Sequence, residues 1–138
     1  MKVREIMTRN VVCVSLNSTA AEAAKKMKES NVGTVMVIEE DKVKGLITDR
    51  AIVTKVIAES RDPNTVKVAD IMSKDLITCK EENDIIDVIK TIGENRIRRI
   101  PVINERQELV GVVSIADLAT EMKSCIDSIL NEEAKAAR

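Results

Sequence analysis

Apolar and polar positions alternate along the chain in a pattern that occurs twice. A short apolar run, Val11 to Val14, reads as a strand, and a polar stretch follows it. Thr19 with Glu22 three residues on then marks a helix start of capping-box type. Beyond it Ala20, Ala23, Ala24 and Met27 recur at i, i+3, i+4 and i+7, one face of a helix. Val32 to Ile38 and Val43 to Thr48 are β-branched runs flanking the polar turn Glu39 to Lys42, and read as a strand pair. A second helix carries Ile52, Val53, Val56 and Ile57 on its apolar positions.

The same order returns downstream. Leu76 to Thr78 is the strand, and Asp84 with Asp87 a weaker, all-aspartate cap. Ile85, Val88, Ile89 and Ile92 are the helix face, each 65 residues from its earlier counterpart. Ile97 to Ile103 and Leu109 to Ser114 flank the turn Asn104 to Glu108. The last helix carries Leu118, Met122, Ile126, Ile129 and Leu130. Each copy opens on a matching leader, Val3 to Asn10 and Val68 to Asp75. Met7 to Met72 is 65 residues and Gly45 to Gly111 is 66, so one residue is inserted in the second copy, and the polar turn at 104–108 is the place a chain tolerates it.

The expected fold is therefore α/β, two β-α-β-β-α repeats packed sheet to sheet about a pseudo-twofold axis. One copy alone is too small to bury its sheet well. The units are residues 1–58 and 67–130, with a polar, proline-bearing linker at 59–66 and a frayed helical tail at 131–138. Such packing leaves two equivalent clefts between the copies.

Composition narrows the chemistry. Charged residues make up 33% of the 138, with a net charge of −1, which offers no field for nucleic acid or an anionic membrane. There is no histidine, so the commonest general base and metal ligand is missing. There is no aromatic side chain to stack on a base, so a bound purine must lie between aliphatic groups. Cys13, Cys79 and Cys125 are widely spaced and read as small packing residues in a reducing compartment. The carboxylate pairs Glu39-Glu40, Glu81-Glu82 and Glu132-Glu133 fall on loops or the tail and read as solvated charge. No enzyme and no required cofactor or metal is expected, and the chain reads as cytoplasmic.

The element with ligand chemistry is the strand-to-helix turn Gly111 to Leu118. Ser114 and Asp117 stand three apart at a helix start, where unpaired N–H groups favour an anionic or polyhydroxyl ligand. Its earlier copy, Gly45 to Ile52, has Thr48 for Ser114 but Ala51 for Asp117. Thr48 and Ser114 also read as plain helix N-caps, and Asp117 as a first-turn carboxylate favoured by the helix dipole. Arg98 and Arg99 read either as a solvated strand edge or ion pair, or as phosphate ligands.

The Ile-Met-Thr/Ser leaders, the strand Arg99-Ile-Pro-Val-Ile103 and the paired turns together resemble a tandem pair of cystathionine-β-synthase (CBS) domains, a stand-alone Bateman module. The resemblance spans residues 3 to about 122. It implies a regulatory module that binds an adenosyl ligand: AMP, ADP or ATP, or S-adenosylmethionine. It also implies that each cleft joins the turn of one copy to the first strands of the other. One cleft then uses Val112, Ser114, Ala116 and Asp117 across from Thr8, Cys13, Val32 and Gly33. Asp117 would hold the ribose hydroxyls, Ser114 or Thr8 a phosphate or ribose oxygen, and Val32 and Val112 the adenine. The other cleft uses Leu46, Thr48, Arg50 and Ala51 with Ser73, Thr78, Ile97 and Arg98; Arg98 and Arg99 face the groove where phosphates converge. Since Ala51 lacks the carboxylate, the Asp117 cleft is expected to be the stronger. A homodimer and an unidentified regulated protein are the implied partners, and the apolar stripe of the last helix permits the dimer.

Overall fold

The computed structural model describes residues 1–136. Two three-stranded sheets form, one per repeat. In the first, β1 (Cys13–Ser15) runs parallel to β2 (Thr34–Glu39), which pairs antiparallel with β3 (Lys42–Thr48). In the second, β4 (Cys79–Lys80) runs parallel to β5 (Arg99–Ile103), which pairs antiparallel with β6 (Leu109–Ser114). Helix α1 (Ala20–Ser30) connects β1 to β2, and α4 (Ile85–Asn95) connects β4 to β5. Helix α2 (Asp49–Ile52) closes the first repeat and passes into a π-helical turn, Val53–Ile57. A short α3 (Val68–Ile71) opens the second repeat, and α5 (Ile115–Ala136) closes it. The expected β-α-β-β-α plan is thus present twice.

Local chemistry sets the element ends. Thr19 Oγ1 accepts from the Glu22 N–H at 3.2 Å and caps α1. Asp84 caps α4 through the Ile86 N–H, 3.1 Å, rather than through position 87. Both helices stop on a left-handed residue, Asn31 and Arg96, each at φ 53°. The inserted residue lies in the second hairpin, as expected. Glu40 and Asp41, at φ 52° and 66°, form a two-residue turn between Glu39 and Lys42. Between Asn104 and Glu108 there are three residues, and only Gln107 is left-handed. The strands themselves are shorter than their apolar runs. Val11 and Val12 precede β1 instead of joining it, and Leu76 to Thr78 precede β4. Ala24, expected on the apolar face of α1, is exposed. The anticipated frayed tail is a continuation of α5 as far as Ala136; residues 137–138 lie outside the described residues.

The cores do not follow the repeat boundaries. Val66, Val68 and Ile71, from the linker and the second leader, are buried in the core of the first repeat with Val35, Val37 and Ile47. Val3 and Met7, from the first leader, are buried in the core of the second with Ile100, Val102 and Val113. Val66, assigned to the linker from its sequence, is a core residue with 6% exposure.

The exchange is symmetric down to single hydrogen bonds. Val3 N–H donates to Asn83 O at 2.9 Å, and Val68 N–H to Ser18 O at 2.9 Å. Ile85 N–H donates to Met1 O at 3.1 Å, and Ala20 N–H to Val66 O at 2.8 Å. Each leader then pairs with the far edge of the other repeat's sheet. Thr8 and Val112 exchange two bonds, 2.9 and 3.0 Å, and Ser73 and Leu46 exchange two, 2.9 and 3.1 Å.

This close approach accounts for Gly45 and Gly111. A Cβ at Gly45 would sit 2.6 Å from Met72 Sδ and 2.8 Å from Ser73 O. At Gly111 it would sit 2.7 Å from Met7 Sδ and 3.0 Å from Thr8 O. The methionine side chains are flexible, but the backbone oxygens are held by the paired bonds. Gly111→Ala should therefore destabilise the protein by about 1–3 kcal/mol, the usual cost of overpacking. Gly93, whose Cβ would meet nothing within 4 Å, is the control: Gly93→Ala should be neutral or stabilising in the same urea titration.

Candidate functional site

Two clefts lie between the repeats, and the exchanged leaders form one wall of each. The first has a volume of about 220 Å³. Thr8 and Asn10 come from the leader, Val32 from the end of α1, Val112 and Ser114 from β6, and Asp117 from the first turn of α5. The second has a volume of about 700 Å³. Its corresponding residues are Ser73, Asp75, Ile97, Leu46 and Thr48, at the repeat offsets of 65 and 66. The counterpart of Asp117, Ala51, is missing from the lining, as are Leu76, Ile77 and Pro101, the counterparts of Val11, Val12 and Met36.

In each cleft two aliphatic side chains come from different repeats: Val32 with Val112, and Ile97 with Leu46. This is the arrangement a chain without aromatic residues needs to hold a flat apolar ring. Hydroxyl groups lie beside them, Thr8 and Ser114 in the first cleft, Ser73 and Thr48 in the second.

Ser114 and Asp117 form a reciprocal cap at the start of α5. Ser114 Oγ accepts from the Asp117 N–H at 3.1 Å, and Asp117 Oδ2 accepts from the Ser114 N–H at 3.1 Å. The capping role is therefore real and occupies one carboxylate oxygen. Oδ1 makes no hydrogen bond among the described residues. At the earlier turn Thr48 Oγ1 accepts from the Ala51 N–H at 3.1 Å, with no returning carboxylate. There Asp49 accepts from the Arg50 N–H at 2.8 Å and lines the second cleft. Its place two residues before Ala51 argues from sequence for a side chain turned elsewhere; the first turn instead brings its carboxylate beside Gly33.

Several expected residues fall elsewhere. Cys13 is absent from the lining of the first cleft; it lies in β1 opposite Met36, and Val11 and Val12 beside it line the cavity instead. Gly33 faces the second cleft. The room over it is filled by the protein's own carboxylate, since an added Cβ would sit 3.0 Å from Asp49 Oδ2. Ala116 also opens on the second cleft, because the first turn of α5 puts Ile115 and Ala116 on one side and Asp117 on the other. Thr78 lines neither cleft, and Asp75 takes that role. Asn10, Val11, Val12, Thr34, Met36, Asp75 and Ile115 also line the clefts and were not expected there; the repeat offset itself pairs Asn10 with Asp75 and Thr34 with Arg99.

Arg50 and Arg98 line the second cleft, and Arg99 lines both. Among the described residues none of the three joins an ion pair or donates a side-chain hydrogen bond. The expected alternative of an Arg98 or Arg99 ion pair is thus not realised. The described residues hold no group of three or more cysteine or acidic side chains suited to a metal ion, and no described helix is long and apolar enough to cross a membrane.

Paired α/β repeats with exchanged leaders and two inter-repeat clefts define a tandem-repeat module. The CBS domain model matches residues 3–58 and 68–124, so the chain belongs to the CBS domain family. CBS domain-containing protein YhcV of Bacillus subtilis is 37% identical over 122 residues, covering 88% of this chain and 86% of that one. Hypoxic response protein 1 of Mycobacterium tuberculosis is 33% identical over 120 residues, covering 86% and 83%. The crystal structure of Hypoxic Response Protein I with two coordinated zinc ions superposes with a TM-score of 0.79, covering 87% of this chain and 98% of that one. The CBS domain pair of protein MJ0100, solved with 5′-methylthioadenosine and S-adenosyl-L-methionine, shares the fold at 23% identity, with a TM-score of 0.79 and coverage of 90% and 97%.

Burial also ranks the thiols. It pushes the Cys79 thiol up to about 11 and raises that of Cys13, where Lys26 partly offsets it. Cys125 is exposed. With 5,5′-dithiobis(2-nitrobenzoate) at pH 8, Cys125 should react first and Cys79 only on unfolding. A raised thiol pKa also means that folding stability is intact below the unfolded thiol's range near 9.0 and falls as pH rises toward 11. Cys79→Ala should flatten that alkaline decline in urea melts.

Proposed function

We propose that the protein is a regulatory sensor of adenosyl compounds, of the AMP, ADP or ATP type or S-adenosylmethionine. It performs no catalysis of its own and transmits occupancy to an unidentified regulated protein. The observation that carries this is the convergence of Asp117, Thr8, Ser114 and the Val32–Val112 pair on one cavity from two repeats, with Asp117 Oδ1 making no hydrogen bond among the described residues. A carboxylate suits two ribose hydroxyls, the hydroxyls suit ribose or phosphate oxygens, and the aliphatic pair suits adenine. The fold accommodates adenosyl compounds in MJ0100. The clefts are unequal, and the Asp117 cleft grips the nucleoside moiety more tightly.

Titration calorimetry with AMP, ATP and S-adenosylmethionine tests this. Asp117→Ala should weaken the tighter site about tenfold to a hundredfold, the loss of charge-assisted hydrogen bonds of roughly 1.5–3 kcal/mol. Ligand at 100 times its Kd should add about 2.7 kcal/mol, raising Tm by roughly 10 °C. Two equal sites, or an unaltered Asp117→Ala protein, would refute the assignment. No shift with any adenosyl compound would leave a structural dimerisation or adaptor module, a reading favoured by Ala51.

The regulatory unit is a homodimer. Met122, Ile126, Ile129 and Leu130 on α5, and Val53 and Ile57 on the π-turn, are each 48% to 58% exposed. A stripe of this kind on a helix end is suited to a second copy. Ile126→Glu with Ile129→Glu should shift the protein to monomer in sedimentation velocity without lowering its Tm by more than a few degrees.

A further inference from the structure

The two clefts are not separate compartments. Thr34, Arg99 and Ser114 line both, so the cavities meet at the centre of the groove. Thr34 and Arg99 are repeat counterparts, opposite Thr48 and Ser114 in their sheets. One carries no charge, so the junction has a single guanidinium where strict repetition would give two or none. Arg99 is half-buried and has no partner among the described residues.

The charges around it decide what that guanidinium does. With Arg99 set aside, the first cleft has Asp117 alone, a net −1, and the second has Arg50 and Arg98 against Asp49 and Asp75, a net of 0. Arg99 turned to the first cleft brings it to 0; turned to the second, it brings that one to +1. A bidentate fork on one phosphate takes two of the five N–H donors and turns the guanidinium plane to that side, so the two clefts compete for it. The second cleft has two further guanidinium groups of its own and the first has none. Its volume of about 700 Å³ is within the roughly 300–1,000 Å³ usual for ligand pockets. The first, at about 220 Å³, is below that range.

We infer that the two clefts take different chemical classes of adenosyl ligand, and that Arg99 enforces the difference. The second cleft takes a nucleoside polyphosphate, whose phosphates draw Arg99 to their side. The first cleft is then left with the Asp117 carboxylate alone and takes an uncharged or cationic adenosyl compound in preference to a phosphorylated one. The charge preference of the first cleft therefore depends on whether the second is filled. This rests on the adenosyl-binding function proposed above and adds to it a direction of coupling between sites.

Competition calorimetry tests it, with ATP as the polyanion, AMP as the charged and adenosine as the neutral probe of the first cleft. In the wild-type protein, saturating ATP should weaken AMP binding at least about tenfold, the scale of one charge-assisted hydrogen bond, and leave adenosine within about twofold. In Arg99→Ala the first cleft keeps only the Asp117 carboxylate, so AMP should bind more weakly than adenosine to the same extent with or without ATP. Arg98→Ala should weaken ATP while sparing adenosine, and Asp117→Ala should abolish the adenosine signal, assigning each probe to its cleft. Equal weakening of AMP and adenosine by ATP would mean steric overlap and overturn the inference, as would coupling that survives in Arg99→Ala. Failure of every adenosyl compound to bind would instead overturn the proposed function itself.

Discussion

Everything in this molecule depends on two pairs of backbone hydrogen bonds that cross from one repeat to the other, Thr8 with Val112 and Ser73 with Leu46. Each ties a leader to the open edge of a three-stranded sheet. An uncovered edge is a template for unwanted pairing, and a half-chain of this size buries too little surface to hold alone. The exchange answers both constraints at once. It covers β3 and β6, and it delivers Val68 and Ile71 to one core and Val3 and Met7 to the other. Gly45 and Gly111 follow from it, because only a residue without Cβ lets the two backbones approach that closely. The ion pairs of Arg4 with Glu82 and Arg9 with Glu81 also tether the first leader, but they are exposed and contribute little.

The same exchange builds the clefts. Past the paired bond, each leader runs along the groove, so Thr8 and Asn10 face Asp117, and Ser73 and Asp75 face Thr48. Folding of the cores and assembly of the clefts are therefore one event. Substitutions between the repeats then make the two clefts unlike. Ala51 for Asp117 removes a carboxylate from one, while Arg98 and Arg99 where the first repeat has Gly33 and Thr34 place cations in the groove.

Much of the fold was legible from the residues. The 65-residue offset located both helices, both hairpins and the inserted loop residue, because each is set by local chemistry: a cap, an apolar face, a two- or three-residue turn. The inner parts of the clefts were legible too. Ser114, Asp117, Thr8, Val32 and Val112 converge, as do Leu46, Thr48, Arg50, Ser73, Ile97 and Arg98. The misplaced residues have two causes. Cys13 and Thr78 were placed by the position of a strand, and the strands begin later than the apolar runs suggest. Gly33 and Ala116 were placed in the right groove but on the wrong side of it; for Ala116, one residue along the first turn of α5 changes the facing direction by about 100°.

The sequence by itself determined the repeat, the element order and the asymmetry between Asp117 and Ala51, since these depend on residue type and spacing along the chain. Only the tertiary structure decided which leader belongs to which core, why two glycines recur, and that Arg99 stands in both clefts. Those facts depend on backbone approaches between segments distant in sequence, Thr8 with Val112 and Leu46 with Ser73. A periodic pattern says which face of an element is buried, and nothing in it says against which partner.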